Sequence, residues 1–278
     1  MKKLLITGAG GFLGKRAAAY YKDRYAVTAC KHADLDITDP EDVRRVFEHI
    51  HPDFVLHCAA ISNTGYAQEH PDESLLINLE GTLNIARACV SVGAKLVYMS
   101  SDQVYTGCTG SQALTEALEL APINVYGQHK LESEKQVCRI APDAVGLRLT
   151  WMYDVPGSAH GDKPGLLTNL KAAAESGVRM RGATGEYRAM TYVWDVVARL
   201  EQCFTLPGGS YNFGASNTLN TYDTLCAVAQ AMGYDAATVV EADNAFARNI
   251  LIDNTKLHRA GIHFPDTVEG AKQALAGA

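Results

Sequence analysis

The residues of this chain best suited to chemistry are a tyrosine and a lysine four positions apart, Tyr126 and Lys130. In a helix this spacing places both side chains on one face, one turn apart. An ammonium beside a phenol favours the phenolate, so the pair could donate a proton to a carbonyl oxygen and recover it near neutral pH. Ser101 offers a hydroxyl that could hold the same oxygen. The chemistry indicated is carbonyl reduction, although Ser101 could instead cap a turn.

A glycine-rich segment follows the apolar run Lys3–Thr7 and has glycines at every third position from residue 8 to residue 14. Glycine permits a tight turn and lets the backbone approach a pyrophosphate, and the next helix would present its free N–H groups to the phosphates. The segment therefore predicts a dinucleotide site rather than a turn without a ligand. The predicted loop residues are Gly8, Gly11, Phe12, Leu13 and Gly14.

The end of the second predicted strand bears on which dinucleotide is bound. An acidic residue there would bind the ribose 2′-hydroxyl and repel a 2′-phosphate. The strand is followed by Lys31, and no acid occurs before Asp34. Lys31, together with Arg16 near the start of the first helix, could pair with a phosphate. These residues favour NADP and leave NAD open, and the alternative is that both cations are solvated surface charges.

Strand-like and helical patterns alternate through the first half of the chain, as in a parallel sheet built from strand–helix–strand units. The predicted strands are Lys3–Thr7, Tyr25–Cys30, Asp53–Cys58, Lys95–Ser100 and Ala144–Thr150. The predicted helices are Phe12–Lys22, one opened by Asp39 and Pro40, Ser74–Val92 and Val125–Ile140. The predicted fold is α/β, a Rossmann-type doubly wound parallel sheet, with the carboxyl ends of its strands as the expected ligand edge.

After Thr150 the pattern changes, and residues 154–165 contain enough proline and glycine to predict a loop. Beyond it we expect helices at Leu166–Ser176, Val193–Phe204 and Thr221–Met232, with an extra strand at Ser210–Phe213. The expected division is a cofactor domain over residues 1–150. Residues 151–278 would then form a small C-terminal substrate lobe that is interleaved with returns to the sheet.

Charge and cysteine content exclude several functional classes. With 31 acidic against 25 basic residues the net charge is −6, so nucleic acid and anionic membranes are not expected partners. The histidines and seven cysteines form no recognised metal motif, which predicts no metal site. An odd number of cysteines without close pairs, and an N-terminal apolar run too short for a secretory core, predict a cytoplasmic protein.

Taken together, these motifs resemble the extended short-chain dehydrogenase/reductases, and within that superfamily the dTDP-4-dehydrorhamnose reductases and their relatives. The resemblance covers about the first 155 residues in order, together with one late segment. The matching stretches are Thr7–Gly14, Leu35–Asp39, Pro52–Ala60, Asn78–Asn84, Ser100–Tyr105, Pro122–Gly127, Arg148–Trp151 and Ile250–Leu257.

The resemblance implies a role for particular residues. Ser101, Tyr126 and Lys130 would form the catalytic triad. Tyr126 and Lys130 would also contact the cofactor, with Lys130 at the nicotinamide ribose. The remaining implied cofactor contacts are Asp36 and Ile37, which would flank the adenine, and Ala59 and Ala60, which would line the cofactor groove.

Two departures from related families bear on the reaction. Sugar-nucleotide dehydratases carry an Asp-Glu pair after the catalytic hydroxyl, whereas this chain has Asp102 and Gln103. Because an amide cannot transfer a proton as glutamate does, this favours reduction over dehydration.

The expected substrate region also diverges from the rhamnose reductases, at Asp154–Gly165 and Gly182–Trp194. The candidate substrate contacts are Asp102, Gln103, Trp151, Arg181 and Arg188, although the last three are equally typical of packing or surface positions.

The first hypothesis is therefore an NADP(H)-dependent reductase of a 4-keto sugar nucleotide, with Tyr126 as the acid. One alternative is a sugar-nucleotide epimerase with tightly bound NAD. Another is a non-catalytic NADP-binding regulatory subunit. The expected partner is a small-molecule substrate, a nucleotide sugar, and the resemblance allows a homodimer.

Overall fold

The computed structural model describes residues 1–161 and 164–277. Residues 162 and 163 of the predicted loop, and the last residue of the predicted lobe, lie outside the described residues. The described chain divides into two compact units. The first unit comprises Met1–Val104, Leu120–Arg148 and Val197–Tyr211. The second comprises Tyr105–Glu119, Leu149–Val196 and the described residues from Asn212 onward.

The described residues contain a six-stranded sheet of order β2-β1-β3-β4-β5-β9 and two separate two-stranded sheets, β10-β7 and β6-β8. Strand β1 pairs in parallel with β2 and β3, and β3 pairs in parallel with β4. The prediction of a Rossmann-type α/β sheet is confirmed. The strands are β1 (Lys3–Thr7), β2 (Ala26–Cys30), β3 (Phe54–His57), β4 (Lys95–Ser101), β5 (Val145–Leu149), β6 (Trp151–Tyr153), β7 (Met180–Tyr187), β8 (Met190–Tyr192), β9 (Gly209–Phe213) and β10 (Val240–Asn249).

Helices connect and cover these strands, and a π-helical segment, Leu76–Gly81, joins two of them into one longer helix. Short 3-10 segments follow β4 at Asp102–Tyr105 and α8 at Glu201–Thr205. The α-helices are α1 (Phe12–Tyr21), α2 (Pro40–Ile50), α3 (Thr64–Glu69), α4 (Pro71–Leu75), α5 (Thr82–Val92), α6 (Val125–Ile140), α7 (Leu166–Ser176), α8 (Val193–Leu200), α9 (Thr221–Ala231), α10 (Ala236–Val239), α11 (Thr255–Arg259) and α12 (Thr267–Ala276).

The core of the first unit follows from the near-continuous apolar character of its central strands. Leu4, Leu5 and Ile6 of β1 and Val55 and Leu56 of β3 are fully buried, as expected for strands covered on both faces. Burial of each such side chain contributes about 1.5–3 kcal/mol relative to its exposure. The central strands therefore form a rigid support whose carboxyl ends carry the candidate site.

Local capping explains where two of the predicted helices begin and end. The Asp39 side chain accepts a hydrogen bond from the backbone N–H of Glu41, and Pro40 occupies the first turn of α2. Helix α5 ends at Gly93, whose φ of +71° is a left-handed conformation that glycine adopts without strain.

The structure differs from the predictions mainly in the second half of the chain. Strands β6, β7, β8 and β10 were not predicted, and the helix expected over Val193–Phe204 continues beyond Leu200 as a 3-10 segment. The glycines of β7 interrupt the alternation of apolar and polar residues by which a strand is predicted. One of them, Gly182, lies so close to α9 that an added Cβ would be 2.7 Å from the Cα of Tyr222. The strand is therefore specified by close packing against α9 and not by alternating side chains.

The stretch Pro71–Val92 is long and apolar enough to cross a membrane by length and composition alone. An 18-residue window within it has a mean hydropathy of 1.2, and 56% of that window is buried inside the fold. Leu83 and Ile85 within it are almost fully buried. A core helix of a globular unit can be equally long and apolar, and the burial of this stretch is typical of such a helix.

Candidate active site

Helix α6 carries the predicted Tyr–Lys pair and begins immediately beside the segment that follows β4. The Asn124 side chain caps the helix by accepting a hydrogen bond from the backbone N–H of Gly127, with an N···O distance of 2.6 Å. A Cβ at Gly127 would lie 2.3 Å from the carbonyl oxygen of Gln103. Glycine is therefore required at position 127, because any side chain there would push the start of α6 away from the segment that follows β4.

This close approach brings Tyr126 to Ser101, the last residue of β4. Both side chains are buried, with exposed fractions of 7% and 8%. The Ser101 hydroxyl lies within hydrogen-bonding reach of the phenol. Burial raises the pKa of Tyr126 above its ordinary value, the hydrogen bond with Ser101 partly opposes this rise, and the charge of Asp102 adds to it. Tyr126 is therefore a protonated phenol at neutral pH. The sequence predicts that Lys130 favours the phenolate, but burial outweighs such an effect here.

Lys130 lies one turn further along α6 and is 3% exposed. Its Nζ donates a hydrogen bond to the carbonyl oxygen of Met99 at 2.9 Å and lies 5.8 Å from the ring centroid of Tyr126. Burial lowers the pKa of Lys130 to about 8, and the nearby Cys58 and Glu134 oppose that decrease. The structure thus brings Ser101, Tyr126 and Lys130 together, with the ammonium anchored on the backbone of β4. Their catalytic roles stay a prediction.

The glycine loop between β1 and α1 leaves no room for larger residues at two of its three predicted positions. Gly8 has a φ of +67°, and a Cβ there would lie 2.5 Å from the backbone nitrogen of Ala59. A Cβ at Gly14 would lie 2.4 Å from the carbonyl oxygen of Gly8. Helix α1 begins without a side-chain cap at Gly11 and without an acidic residue in its first turn. The loop therefore fits a dinucleotide phosphate, because the unshielded helix terminus attracts negative charge.

Of the two cations considered for a 2′-phosphate, only one is on the surface. Lys31 is exposed, and its Cγ lies 3.7 Å from where a Cβ at Gly10 would be. Arg16 is 1% exposed, stacks on the Phe12 ring at 4.1 Å and donates a hydrogen bond to the Phe12 carbonyl oxygen. The interpretation of Arg16 as a solvated surface charge does not fit this burial, and its pairing with a phosphate stays a prediction. Lys31 lies on the surface beside the loop.

The implied adenine contacts follow β2, where Asp36 holds the turn before α2. Its carboxylate accepts hydrogen bonds from the backbone N–H and the hydroxyl of Thr38, and these hydrogen bonds lower the pKa of Asp36. Ile37 is buried and packs on Gly81, where an added Cβ would lie 2.7 Å from its Cδ1. Ala59 and Ala60 are half-buried residues that follow β3 after Cys58. Their contacts with a cofactor stay a prediction.

Asp102 and Gln103 form a buried pair after β4. The Gln103 amide donates to the Asp102 carboxylate at 3.1 Å, and its carbonyl oxygen accepts from the Asn124 amide at 3.1 Å. The amide therefore bridges the carboxylate to the cap of α6. A glutamate in place of Gln103 would put a second negative charge beside Asp102, which shows why the two residue types are not equivalent here.

The other three candidate substrate contacts lie in the second unit. The Arg188 guanidinium lies 5.2 Å from the ring centroid of Trp151, and its Nη1 lies 3.9 Å from the Glu186 carboxylate. Arg181 pairs instead with Asp243 at 3.2 Å, with its side chain 66% exposed. The structure thus brings Trp151 and Arg188 together, whereas Arg181 belongs to a cross-strand ion pair.

Three supporting residues were missed in the sequence. His57 joins the Thr7 and Thr82 hydroxyls through its two ring nitrogens, at 2.7 and 3.1 Å, and burial with the charge of Lys130 lowers the pKa of His57 to about 3. Asn78 exchanges two hydrogen bonds of 3.0 Å with the backbone of Ile61. A polar residue inside an apolar run was the available signal for His57.

The third missed residue is Glu134, four positions after Lys130 on α6. It is 6% exposed and forms an ion pair with Arg148 at 2.6 Å. Its spacing from Lys130 repeats the spacing of the Tyr–Lys pair, which was the available signal.

A family model described as the RmlD substrate binding domain matches residues 1–250 of the chain. The chain belongs to this family. Membership in the RmlD family confirms the resemblance to the extended short-chain dehydrogenase/reductases that the motifs indicated.

Three curated relatives are similar over most of their length. The spore coat polysaccharide biosynthesis protein SpsK of Bacillus subtilis is 30% identical over 238 residues, covering 85% of this chain and 82% of the relative. A dTDP-4-dehydrorhamnose reductase of Mycolicibacterium smegmatis is 28% identical, covering 86% of this chain and 72% of the relative. The methionine adenosyltransferase 2 subunit beta of Xenopus tropicalis is 27% identical, covering 94% and 83%.

The solved structure of a dTDP-4-dehydrorhamnose reductase from Bacillus anthracis in complex with NADP superposes with a TM-score of 0.86. It covers 100% of both chains at 24% sequence identity, and it shows that the fold is shared.

Proposed function

We propose that this member of the RmlD family is an NADP(H)-dependent reductase of a 4-keto sugar nucleotide. The observation that carries the proposal is the buried group of Ser101, Tyr126 and Lys130 at the carboxyl end of β4, in the same unit as the glycine loop. When bound, the nicotinamide supplies a hydride to the carbonyl carbon. The names of the reductase relatives support the nucleotide-sugar substrate.

The residues of the chain then have separate tasks. Tyr126, which burial keeps protonated, donates its proton to the carbonyl oxygen that Ser101 holds. The Lys130 ammonium stabilises the phenolate that this transfer leaves. Gly8, Gly11 and Gly14 would hold the pyrophosphate, and Lys130 the nicotinamide ribose. Residues 1–150 would serve the cofactor and the rest of the chain the substrate.

The direct test uses the purified chain with dTDP-4-keto-6-deoxyglucose and either NADPH or NADH, followed at the nicotinamide absorbance band. We expect oxidation of the cofactor, faster with NADPH. Cofactor absorbance in the purified protein without added nucleotide would indicate the epimerase alternative instead.

A second candidate function is a non-catalytic NADP-binding subunit, which the relationship to a methionine adenosyltransferase subunit favours. Binding of NADPH without reduction of any compound in a panel of carbonyl substrates would support it. The combination of Ser101, Tyr126 and Lys130 in one buried group supports the reductase, because cofactor binding alone does not require a proton donor and an ammonium on the same helix face.

The position of Lys31 predicts the cofactor preference. We expect Lys31→Ala to raise the KM for NADPH about tenfold and to leave the KM for NADH unchanged, because one charge-assisted contact with the 2′-phosphate is lost. Lys22→Ala, which removes another exposed lysine of the same unit, is the matched control. Equal effects on both cofactors would show that Lys31 does not contact the 2′-phosphate.

We further propose a cytoplasmic location, without nucleic-acid or membrane partners, since the acidic balance of the chain disfavours both polyanions. Light scattering after size exclusion tests the homodimer that the resemblance allows.

A further inference from the structure

Glu134 is the third buried member of a series on α6, after Tyr126 and Lys130, at intervals of four residues. It forms a bidentate pair with Arg148 of β5: Nη2 of Arg148 lies 2.6 Å from Oε2, and Nε lies 3.0 Å from Oε1. Both side chains are only 5% exposed. A charge pair taken this far from water is retained only when its geometry is good and its remaining hydrogen bonds are made.

The other hydrogen bonds of Glu134 extend to two further strands. The Ser100 hydroxyl of β4 donates to Oε1, and the Ser210 hydroxyl of β9 donates to Oε2 at 2.9 Å. One carboxylate therefore joins α6 to three neighbouring strands of the sheet. Glu134, Arg148, Ser100 and Ser210 together form a hydrogen-bonded group that we call the clamp. Ser100 is the member of the clamp that lies on β4.

The clamp acts on the same short stretch of β4 that holds the catalytic group. Lys130 donates to the carbonyl oxygen of Met99, Glu134 accepts from Ser100, and Tyr126 meets the hydroxyl of Ser101. Three side chains from successive turns of α6 thus contact three consecutive residues of β4. Because catalytic geometry tolerates displacements of well under 1 Å, the contact with Ser100 bears directly on its two neighbours.

Glu134 also acts on Lys130 through its charge. The titratable groups that face the ammonium are His57 and Cys58 at the end of β3, and Tyr126 and Glu134 on α6 itself. Burial holds His57 neutral, with its pKa lowered to about 3, and raises the pKa of Cys58 to about 12. Near neutral pH, Glu134 is therefore the group in this set whose charge stabilises the ammonium.

We propose that Glu134 is a positioning residue for the reductase chemistry: it holds α6 in register on β4 and places a carboxylate one helical turn from the Lys130 ammonium. The expected effect on kinetics rests on the proposed function, whereas the protonation of Lys130 can be measured without any substrate. Glu134 itself touches neither substrate nor cofactor in this assignment and acts through Lys130 and Ser100.

The test follows the titration of Lys130 in the cofactor-free chain by NMR of ¹³Cε-labelled lysine, with the signal assigned by its loss in Lys130→Met. We expect Glu134→Gln to lower the Lys130 midpoint by about one pH unit, because an opposing carboxylate is removed. The alkaline limb of kcat/KM should move down by the same amount. Glu132→Gln is the matched control on α6, where Glu132 bonds only with Gln136 in the described contacts.

Glu134→Gln leaves Arg148 buried without a counter-charge, so Glu134→Gln/Arg148→Gln provides a neutral version of the clamp. Ser100→Ala tests the register alone: we expect kcat to fall roughly tenfold with the Lys130 midpoint unchanged. An unchanged Lys130 midpoint in a folded Glu134 variant, or wild-type kcat in Ser100→Ala, would overturn the proposal. A wild-type chain that binds NADPH but reduces nothing would instead contradict the proposed function and leave the midpoint shift measurable.

Discussion

Replacement of Tyr126 by phenylalanine is expected to lower kcat about 10³-fold in the NADPH-dependent reduction of dTDP-4-keto-6-deoxyglucose. The substitution removes one oxygen from a side chain that is 7% exposed, so the surrounding packing is retained. What is lost is the acid that protonates the carbonyl oxygen beside Ser101. NADPH affinity, followed by the fluorescence of the bound nicotinamide, should stay within about twofold, since the proton donor is not proposed to bind the cofactor phosphates.

Tyr20→Phe is the matched control, because Tyr20 lies on α1, where its ring faces Arg24 at 4.7 Å. It should keep wild-type turnover. Undiminished turnover in Tyr126→Phe would exclude Tyr126 as the acid. A loss of turnover accompanied by an equal loss of NADPH affinity would show that the phenol serves binding and not proton transfer.

Alanine at Gly8 or Gly14 is expected to destabilise the first unit by roughly 3 kcal/mol and to abolish NADPH binding. At Gly8 the new Cβ would lie 2.5 Å from the backbone of Ala59, and φ is +67°. At Gly14 it would lie 2.4 Å from the carbonyl oxygen of Gly8. Both contacts are with backbone atoms, which cannot swing aside as the end of a side chain can, so the loop itself must move.

Gly10→Ala separates this steric requirement from the glycine content of the loop. Among the described residues other than its chain neighbours, the one atom within 4 Å of its Cβ would be Cγ of Lys31 at 3.7 Å, which is ordinary contact distance. We expect wild-type urea stability and NADPH affinity for Gly10→Ala, and loss of both for the other two variants. If all three variants had the same stability and NADPH affinity, steric contact with the backbone would not explain why positions 8 and 14 are glycine.

Most of the candidate site could be predicted from the sequence because its signals are local. The spacing of Tyr126 and Lys130 depends only on helix geometry, and α6 has the bounds that were predicted for it. The second half was harder to predict. Strands β6 and β8 are three residues long, too short to show an alternation of apolar and polar residues. They are strands because they pair with each other, from Trp151 opposite Met190 to Tyr153 opposite Tyr192.

The sequence by itself determined the Rossmann-type class, the dinucleotide loop and the identity of the catalytic candidates. Each depends on residues within one turn, strand or helix, where residue type limits the backbone directly. Only the tertiary structure decided which charges are buried. It placed Arg16 inside and left Lys31 outside, and it joined Glu134 to Arg148 across 14 residues of chain. Burial and ion pairing depend on which surfaces pack together, and no single segment carries that information.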